Sequence, residues 1–363
     1  MMQGISDTGR YVIGETAYNH EGDFGYLMRM VEEIAGLGLD AVKFHLLLDA
    51  SSYMQLRHPL AGKVREWMFD KGQWAEAMRR SRGLGLDVAA LCDDVESVRW
   101  VRQERAGDVR AIEIHATSLN DWFLLTEAAA FGGTVILGVG GSTLDEIGYA
   151  VDVLRSRGHE DIVLMYGFQS YPTDYGEINL ARMEALRDLF GLPVGYADHT
   201  AFDDANNEVI SVMAAAMGFG ILEKHYTPER GVERIDYHAA VGREQMARIM
   251  ELMDVAVRVR GRRGAGMSEA EKAYGNVGPM KKAIVARRDI SRGQRIGLED
   301  LWFKRTAEES TVRQAQLFQL VGQEAGADIA ADEVVDFSKV RYAFGVRDVR
   351  SMTHFGGRGE EKA

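Results

Sequence analysis

A single cysteine, Cys92, stands in this chain of 363 residues, which excludes an intrachain disulfide framework and a cysteine-rich zinc or iron–sulfur site. Basic residues are outnumbered as well: 43 Lys and Arg face 55 Asp and Glu, for a formal net charge of −12. Such a surface repels phosphates, so no nucleic-acid partner is expected. An anionic substrate would need a locally positive pocket. No stretch approaches the roughly 20 apolar residues of a membrane span. The opening MMQGISDTGR has no apolar run behind a basic start, so no secretory signal is expected. These absences lead to the expectation of a reduced, cytoplasmic setting without membrane partners.

What is present is an ordinary globular composition, 46% hydrophobic and 27% charged, enough for a full core. The length suits one large barrel with a small domain, or two mid-sized domains. Short apolar runs alternate with amphipathic segments. The runs expected to be strands are Tyr11–Glu15, Ala41–Phe44, Asp87–Leu91, Ala111–His115, Thr134–Gly138, Ile162–Tyr166, Pro193–Tyr196 and Ile221–Lys224. Leu27, Val31 and Ile34 keep helical spacing, as do Leu144, Ile147, Val151 and Leu154, and Val209, Val212, Met213 and Ala216. Alternation of this kind means parallel strands with helices returning outside them. Eight units in this length predict a closed (β/α)8 barrel of the α/β class over residues 1–262. The pattern then breaks into GRRGAGMSEAEKAYGNVG, read as a linker over 263–280. A small β-rich domain is expected over 281–345, and a poorly ordered tail over 346–363.

In such a barrel the active site lies where the strands end. Of nine histidines, five (His20, His45, His115, His199, His225) fall just at predicted strand ends, which predicts an imidazole-rich site. His199 and His225 come from neighbouring strands and could meet over the mouth. Neutral imidazoles bind Mn²⁺, Zn²⁺, Fe²⁺ or Co²⁺, and such an ion could polarise a carbonyl; the other reading is that each ring hydrogen-bonds a loop. Lys43 and His45 share a face of their strand. A buried Lys43 must be paired or used, with a substrate anion or in an ion pair with Glu15 or Glu113. Glu15 could be a general base, a hydroxyl anchor or a structural partner. Cys92 has no base beside it and reads as a small buried residue. Gly138–Ser142 could offer amides to a phosphate, or form a plain turn.

IGETAYNHEGD followed by AGLGLDAVKFH resembles the opening of the sialic acid synthase (N-acetylneuraminate synthase) family. GYADHT and ILEKHYTPERGVERIDYHAA resemble its paired histidine motifs, and VARRDISRGQRIGLEDLWFKR resembles its C-terminal antifreeze-protein-like (SAF) domain. The resemblance implies condensation of phosphoenolpyruvate with an amino sugar, a divalent metal such as Mn²⁺, and a domain-swapped homodimer. It also implies that His199 and His225 bind the metal, that Lys43 faces the donor and that Glu15 faces the reacting centre. Tyr171, Asp236 and a partner's Arg305 would hold the sugar. Asn19, His45, Gln169, Asp198 and Lys224 complete the substrate-binding set, with Glu113 and His115 among the catalytic candidates.

Departures from the family pattern are concentrated in one subsite. Where the family has Lys-Ile-Gly-Ser on the fourth strand, this chain has Glu113-Ile114-His115-Ala116. Ala90-Leu91-Cys92-Asp93 replaces a hydroxyl-bearing run, Gly138-Val139-Gly140 replaces Ser-Thr-Gly, and Ala197 replaces a Ser. A unit charge pair at 4 Å is worth ~4 kcal/mol at an effective dielectric of 20, so exchanging a phosphate-binding Lys for a charged Glu could cost roughly 8 kcal/mol. Three functions follow. The first is a sialic-acid-type synthase using phosphoenolpyruvate with an unusual cradle of Lys43, Lys224 and the Gly138–Ser142 turn. The second is a metal-dependent aldolase or related enzyme using pyruvate or another unphosphorylated keto donor. The third is a non-catalytic sugar-binding relative.

Overall fold

A computed structural model describes residues 9–168, 170, 173–261, 264, 266–275 and 280–341. Eight parallel strands close in sequence order into a barrel: β1 Tyr11–Glu15, β2 Ala41–Leu46, β3 Asp87–Cys92, β4 Ala111–Ile114, β5 Thr134–Gly138, β6 Ile162–Tyr166, β7 Val194–Asp198 and β8 Ile221–His225. The expected strands are all present. β2 runs past Phe44 to Leu46, β7 runs on to Asp198, and β4 stops one residue short of His115.

Alternation along each strand sorts the side chains into two layers. Tyr11, Ile13, Ala41, Ala111, Ile136, Val163, Met165, Ala197 and Ile221 form the core inside the barrel. Val12, Val42, Phe44, Ile112, Leu137, Leu164 and Leu222 face outward into the larger core under the helices. Cys92 belongs to that outer layer and is fully buried.

The helices complete that layer. Phe24–Gly36 is capped by Asp23, whose carboxylate accepts from the Tyr26 amide, and buries Leu27, Val31 and Ile34. Leu144–Ser156 opens with a capping box of Thr143 and Glu146. It buries Ile147, Val151 and Leu154, but Leu144 in its first turn is exposed. The face expected on Asn207–Met217 is corrected. This helix packs against the helix Arg243–Arg260 as well as β7 and β8, so it buries Ile210, Val212, Ala214 and Ala215 and exposes Val209 and Met213.

The chain divides into two compact units, residues 1–262 and 263–363. In the second unit β9 (Ala283–Ala286) pairs antiparallel with β10 (Leu301–Lys304), and β11 (Glu324–Ala325) with β12 (Val340–Arg341). Ile284, Ile290, Leu301, Leu320, Ile329 and Val335 are among the residues of its own core. A short helix, Glu269–Gly275, occupies part of the segment read as a linker. The tail expected over 346–363 lies outside the described residues.

Candidate active site

The register places Glu15 beside Lys43 on β2 and beside His225 on β8. Parallel neighbours at one height share a face, so their side chains converge inside the carboxyl end of the barrel. Lys43 Nζ lies 3.0 Å from Glu15 Oε1, 3.0 Å from Glu113 Oε2 and 2.6 Å from Glu223 Oε1. All four side chains are almost fully buried. One ammonium among three carboxylates cannot neutralise them all, and the protonation states divide accordingly. Burial opposes the charge on Glu15, but Lys43, His225 and His45 hold it well below the usual carboxylate range. Burial, reinforced by Glu15, pushes Glu223 well up, and burial raises Glu113 against the pull of Lys43. The cluster is therefore one ionised carboxylate, a fixed ammonium and two carboxyls biased towards the neutral acid.

Four of the five strand-end imidazoles gather here. His45 Nε2 lies 2.7 Å from Glu15 Oε1. Although burial disfavours its charged form, that hydrogen bond raises its pKa. The rings of His199 and His225 are 5.2 Å apart. Burial, then the neighbouring His225, lowers His199 to about 4, and burial lowers His225 to about 4, so both are neutral at pH 7. His199 Nδ1–H donates to the Ala197 carbonyl at 3.1 Å, which turns Nε2 into the lone-pair nitrogen. His225 Nε2 is buried without a hydrogen-bond partner; Glu15 Oε2 is 3.3 Å away but not aligned for one. Two neutral imidazoles, one with an orphaned nitrogen beside an ionised carboxylate, fit a divalent ion. Among the described residues no group of three or more His, Cys, Asp or Glu is arranged to hold one, so water or substrate would complete the shell. His115 caps its own loop: the Thr117 amide donates to its Nδ1 at 3.3 Å, leaving Nε2–H as a donor. Burial keeps this ring neutral, with a pKa of about 4.

These groups line a cavity of about 260 Å³ that includes Glu15, Lys43, His45, Glu113, His115, His199 and Glu223. The charge is confined to the side formed by β8, β1, β2 and β4. On the other side, β5 to β7 contribute Gly138, Gly140, Met165, Gly167, Phe168 and Ala197. A Cβ on Gly140 would collide with the Gly167 carbonyl oxygen, and one on Gly167, at φ +152°, with that of Ala197. The loops after β5 and β6 therefore meet backbone to backbone, and no side chain fits between them.

Several expected site residues stand elsewhere. Lys224 alternates with Glu223 and His225 and so points outward, with Nζ 2.6 Å from Asp198 Oδ2. Asp198 is saturated: Tyr196, Thr200, Ser211 and Lys224 all donate to it. Assigning this pair to substrate is corrected, because both are fully buried beneath the helix Asn207–Met217 and satisfied there. With Lys224 turned away and Lys43 engaged, the cradle of Lys43, Lys224 and the Gly138–Ser142 turn is not assembled. Asn19 is buried and ties its loop to the Ile235 carbonyl at 2.9 Å, so its amide donor is also engaged in structure. His20 is packed among Tyr18, Phe69 and Trp74, away from the cavity. Asp236, at φ +63°, stands within electrostatic reach of His45, Glu15 and His199, and burial raises its pKa. Gln169 and Tyr171 lie outside the described residues. Arg305 follows β10 in the second unit, with Nη2 4.0 Å from Met280 Sδ.

Two members of the constellation lie outside the set that the sequence predicts. Glu223 is one, although its i, i+2 spacing from His225 places both on one face. Asp93 is the other; it is buried, accepts from Tyr18 Oη at 2.7 Å and lies 3.9 Å from His45 Nδ1. Its signal in the sequence is its place directly after the third strand.

A closed parallel barrel whose mouth gathers imidazoles, carboxylates and one lysine has the layout of a barrel-enzyme active site. Residues 30–264 match the NeuB family and residues 281–341 the SAF domain, and the chain belongs to the NeuB family, the sialic acid synthases and their relatives. It is 28% identical over 301 residues to an uncharacterized protein of Methanocaldococcus jannaschii, covering 81% of this chain and 84% of that one. It is 25% identical over 346 residues to N,N'-diacetyllegionaminic acid synthase of Campylobacter jejuni, covering 89% and 98%. In fold it is similar to a Chromobacterium violaceum protein named for spore coat polysaccharide biosynthesis, with a TM-score of 0.77, 22% identity and coverage of 91% and 99%. Among the described residues no helix is long and apolar enough to cross a membrane.

Proposed function

We propose that this protein forms a carbon–carbon bond between an unphosphorylated 2-keto acid and the aldehyde of an amino sugar, with a divalent metal, Mn²⁺ before Zn²⁺, Co²⁺ or Fe²⁺, held by His199 and His225. One observation carries the choice of donor: Lys43 lies within 3.0 Å of the carboxyl groups of Glu15, Glu113 and Glu223, and ionised Glu15 already matches its charge, so the lysine nearest the reacting centre is engaged rather than open to a phosphate. When bound, the metal would supply Lewis acidity at a carbonyl oxygen. Glu15, ionised, and His45, 2.7 Å away, are the pair placed to accept the proton leaving the donor carbon. Glu223, kept as the neutral acid, and the Nε2–H of His115 are placed to hydrogen-bond the oxygen that becomes the new hydroxyl. Asp236 would hold sugar hydroxyls. As the family resemblance implies, Tyr171 would do so too, and so would Arg305 of the partner subunit in a domain-swapped homodimer; Gln169, which stands where the family has Asn, would bind substrate beside Tyr171.

A second reading keeps phosphoenolpyruvate as donor. It is favoured by the family match over residues 30–264 and by relatives named as nonulosonate synthases. Incubating the protein with Mn²⁺, a panel of amino sugars and either pyruvate or phosphoenolpyruvate separates the readings. A 2-keto acid product from pyruvate, without phosphate release, supports the proposal. Phosphate release with phosphoenolpyruvate alone overturns it in favour of the second. Sugar binding without turnover of either donor would leave a non-catalytic relative.

A further inference from the structure

Five non-glycine residues hold a positive φ among the described residues, and three of them, Ala17, Glu21 and Asp236, belong to the two loops that follow β1 and β8 at the barrel mouth. Left-handed backbone is costly for a residue with a Cβ and persists where its surroundings impose it, often at binding sites. The loop after β1 is the fixed member. His20 is buried, its ring 4.6 Å from that of Phe69, and its Nδ1 accepts from the Gly22 amide at 3.1 Å. A Cβ on Gly22 would collide with the Glu66 carbonyl oxygen, so this turn sits hard against its neighbour.

The loop after β8 is tied to that frame. Glu21 Oε1 accepts from the Ile235 amide at 3.1 Å, and the buried Asn19 donates from Nδ2 to the Ile235 carbonyl at 2.9 Å. Glu21 Oε2 lies 3.6 Å from Arg234 Nη1, and the Arg234 guanidinium lies 4.0 Å from the centre of the Tyr26 ring. Both polar groups of Ile235 are thus held, and the next residue is Asp236 at φ +63°. The Ile235 carbonyl belongs to the rigid peptide plane that leads into Asp236, so holding it restricts rotation about the Asp236 N–Cα bond.

We infer that Glu21 is a positioning residue for the sugar end of the site: with Asn19 it fixes Ile235, and so holds Asp236 in the left-handed conformation that presents its carboxyl group to an amino sugar's hydroxyls. The inference rests on the reading of Asp236 as a partner of the sugar and is independent of the donor. Glu21 touches no substrate in this arrangement and acts through the backbone. Without the tie, the Asp236 backbone would spread over the ordinary α and β regions. Its carboxyl group would then meet the sugar in only a fraction of the molecules, and the apparent affinity would fall by that fraction.

Amino sugars, N-acetylmannosamine and N-acetylglucosamine among them, are titrated by calorimetry into the full chain with Mn²⁺. The proteins compared are wild type, Glu21→Ala, Glu21→Gln, Asp236→Ala and the double variant Glu21→Ala with Asp236→Ala. Glu21 is exposed, so its replacement leaves the core intact; Glu21→Gly, which suits the positive φ, repeats the measurement if the alanine variant does not fold. Glu21→Ala should raise the Kd of the bound sugar at least about tenfold while Mn²⁺ affinity stays within about twofold. Glu21→Gln, which keeps an oxygen for the Ile235 amide, should restore most of the loss. In the Asp236→Ala background, Glu21→Ala should add little, because its route to the sugar is gone. Equal sugar affinity in wild type and Glu21→Ala, or additive losses in the double variant, overturns the inference and leaves Asp236 with the sugar. An unchanged Kd in Asp236→Ala, or no binding of any sugar to wild type, overturns the reading of Asp236 and the inference with it.

Discussion

Lys43 Nζ and Glu113 Oε2 lie 3.0 Å apart, joined across β3 where the register sets the small Ala89 beside Lys43. A carboxyl group on β4 thus occupies the ammonium that a phosphorylated donor would need. Glu113→Lys should add a positive charge there and tighten phosphoenolpyruvate binding by at least about tenfold, a modest share of the ~4 kcal/mol expected for one charge pair at 4 Å. Isothermal titration of wild type and variant with phosphoenolpyruvate measures it. Equal affinities would sink the idea that Glu113 excludes phosphate.

The same cluster makes Lys43 a stability determinant. Removing one partner from a buried ion network leaves uncompensated charge, so Lys43→Met should destabilise the barrel by about 3–5 kcal/mol. Adding Glu15→Gln should recover part of the loss, because the ionised carboxylate that the first change orphans is then gone. Denaturant unfolding of both variants is the check; an unchanged midpoint for Lys43→Met contradicts it.

Lys224 and Asp198 are a structural pair. Lys224→Met should cost about 3–5 kcal/mol of stability by stranding the Asp198 carboxylate, while the folded fraction keeps the KM of the parent for both substrates. A large KM change with normal stability would return Lys224 to the substrate.

His199→Ala removes one of two neutral imidazoles 5.2 Å apart. Mn²⁺ affinity, followed by paramagnetic broadening or calorimetry, should fall by at least about tenfold, since the remaining ligand set is incomplete. Full retention of Mn²⁺ binding would place the ion elsewhere.

His20 sets an acid limit. Burial lowers its pKa from 6.5 to about 3, so between those values the unfolded ring binds a proton that the folded ring refuses. Stability present above pH 6.5 is therefore lost as pH falls towards 3. Between pH 7 and 4.5 the wild type should lose about 2–3 kcal/mol more than His20→Leu, read from unfolding free energies at the two pH values. Parallel losses in the two proteins would show that His20 is not responsible.

The barrel was legible because its signal is local. Strand periodicity, helix spacing and the βα alternation are each contained within a dozen or so neighbouring residues, and the strand candidates match the observed β1 to β8 closely. Facing was less legible. Glu223 and Lys224 are neighbours in sequence, and only alternation with His225 separates the inward carboxyl from the outward ammonium. On Asn207–Met217 the buried face depended on a second packing partner, the helix Arg243–Arg260, more than thirty residues downstream.

From the sequence alone came the fold class and the histidine pair at neighbouring strand ends, because residue identity and short-range spacing determine them; the hydroxyls are missing only against the pattern of the family the sequence resembles. Only the tertiary structure decided which charges share a partner. Whether Lys43 stays available or is surrounded depends on three carboxylates drawn from β1, β4 and β8, brought within 3.0 Å by closure of the barrel. Electrostatic energy follows distance through space, and that distance is set by strands far apart along the chain.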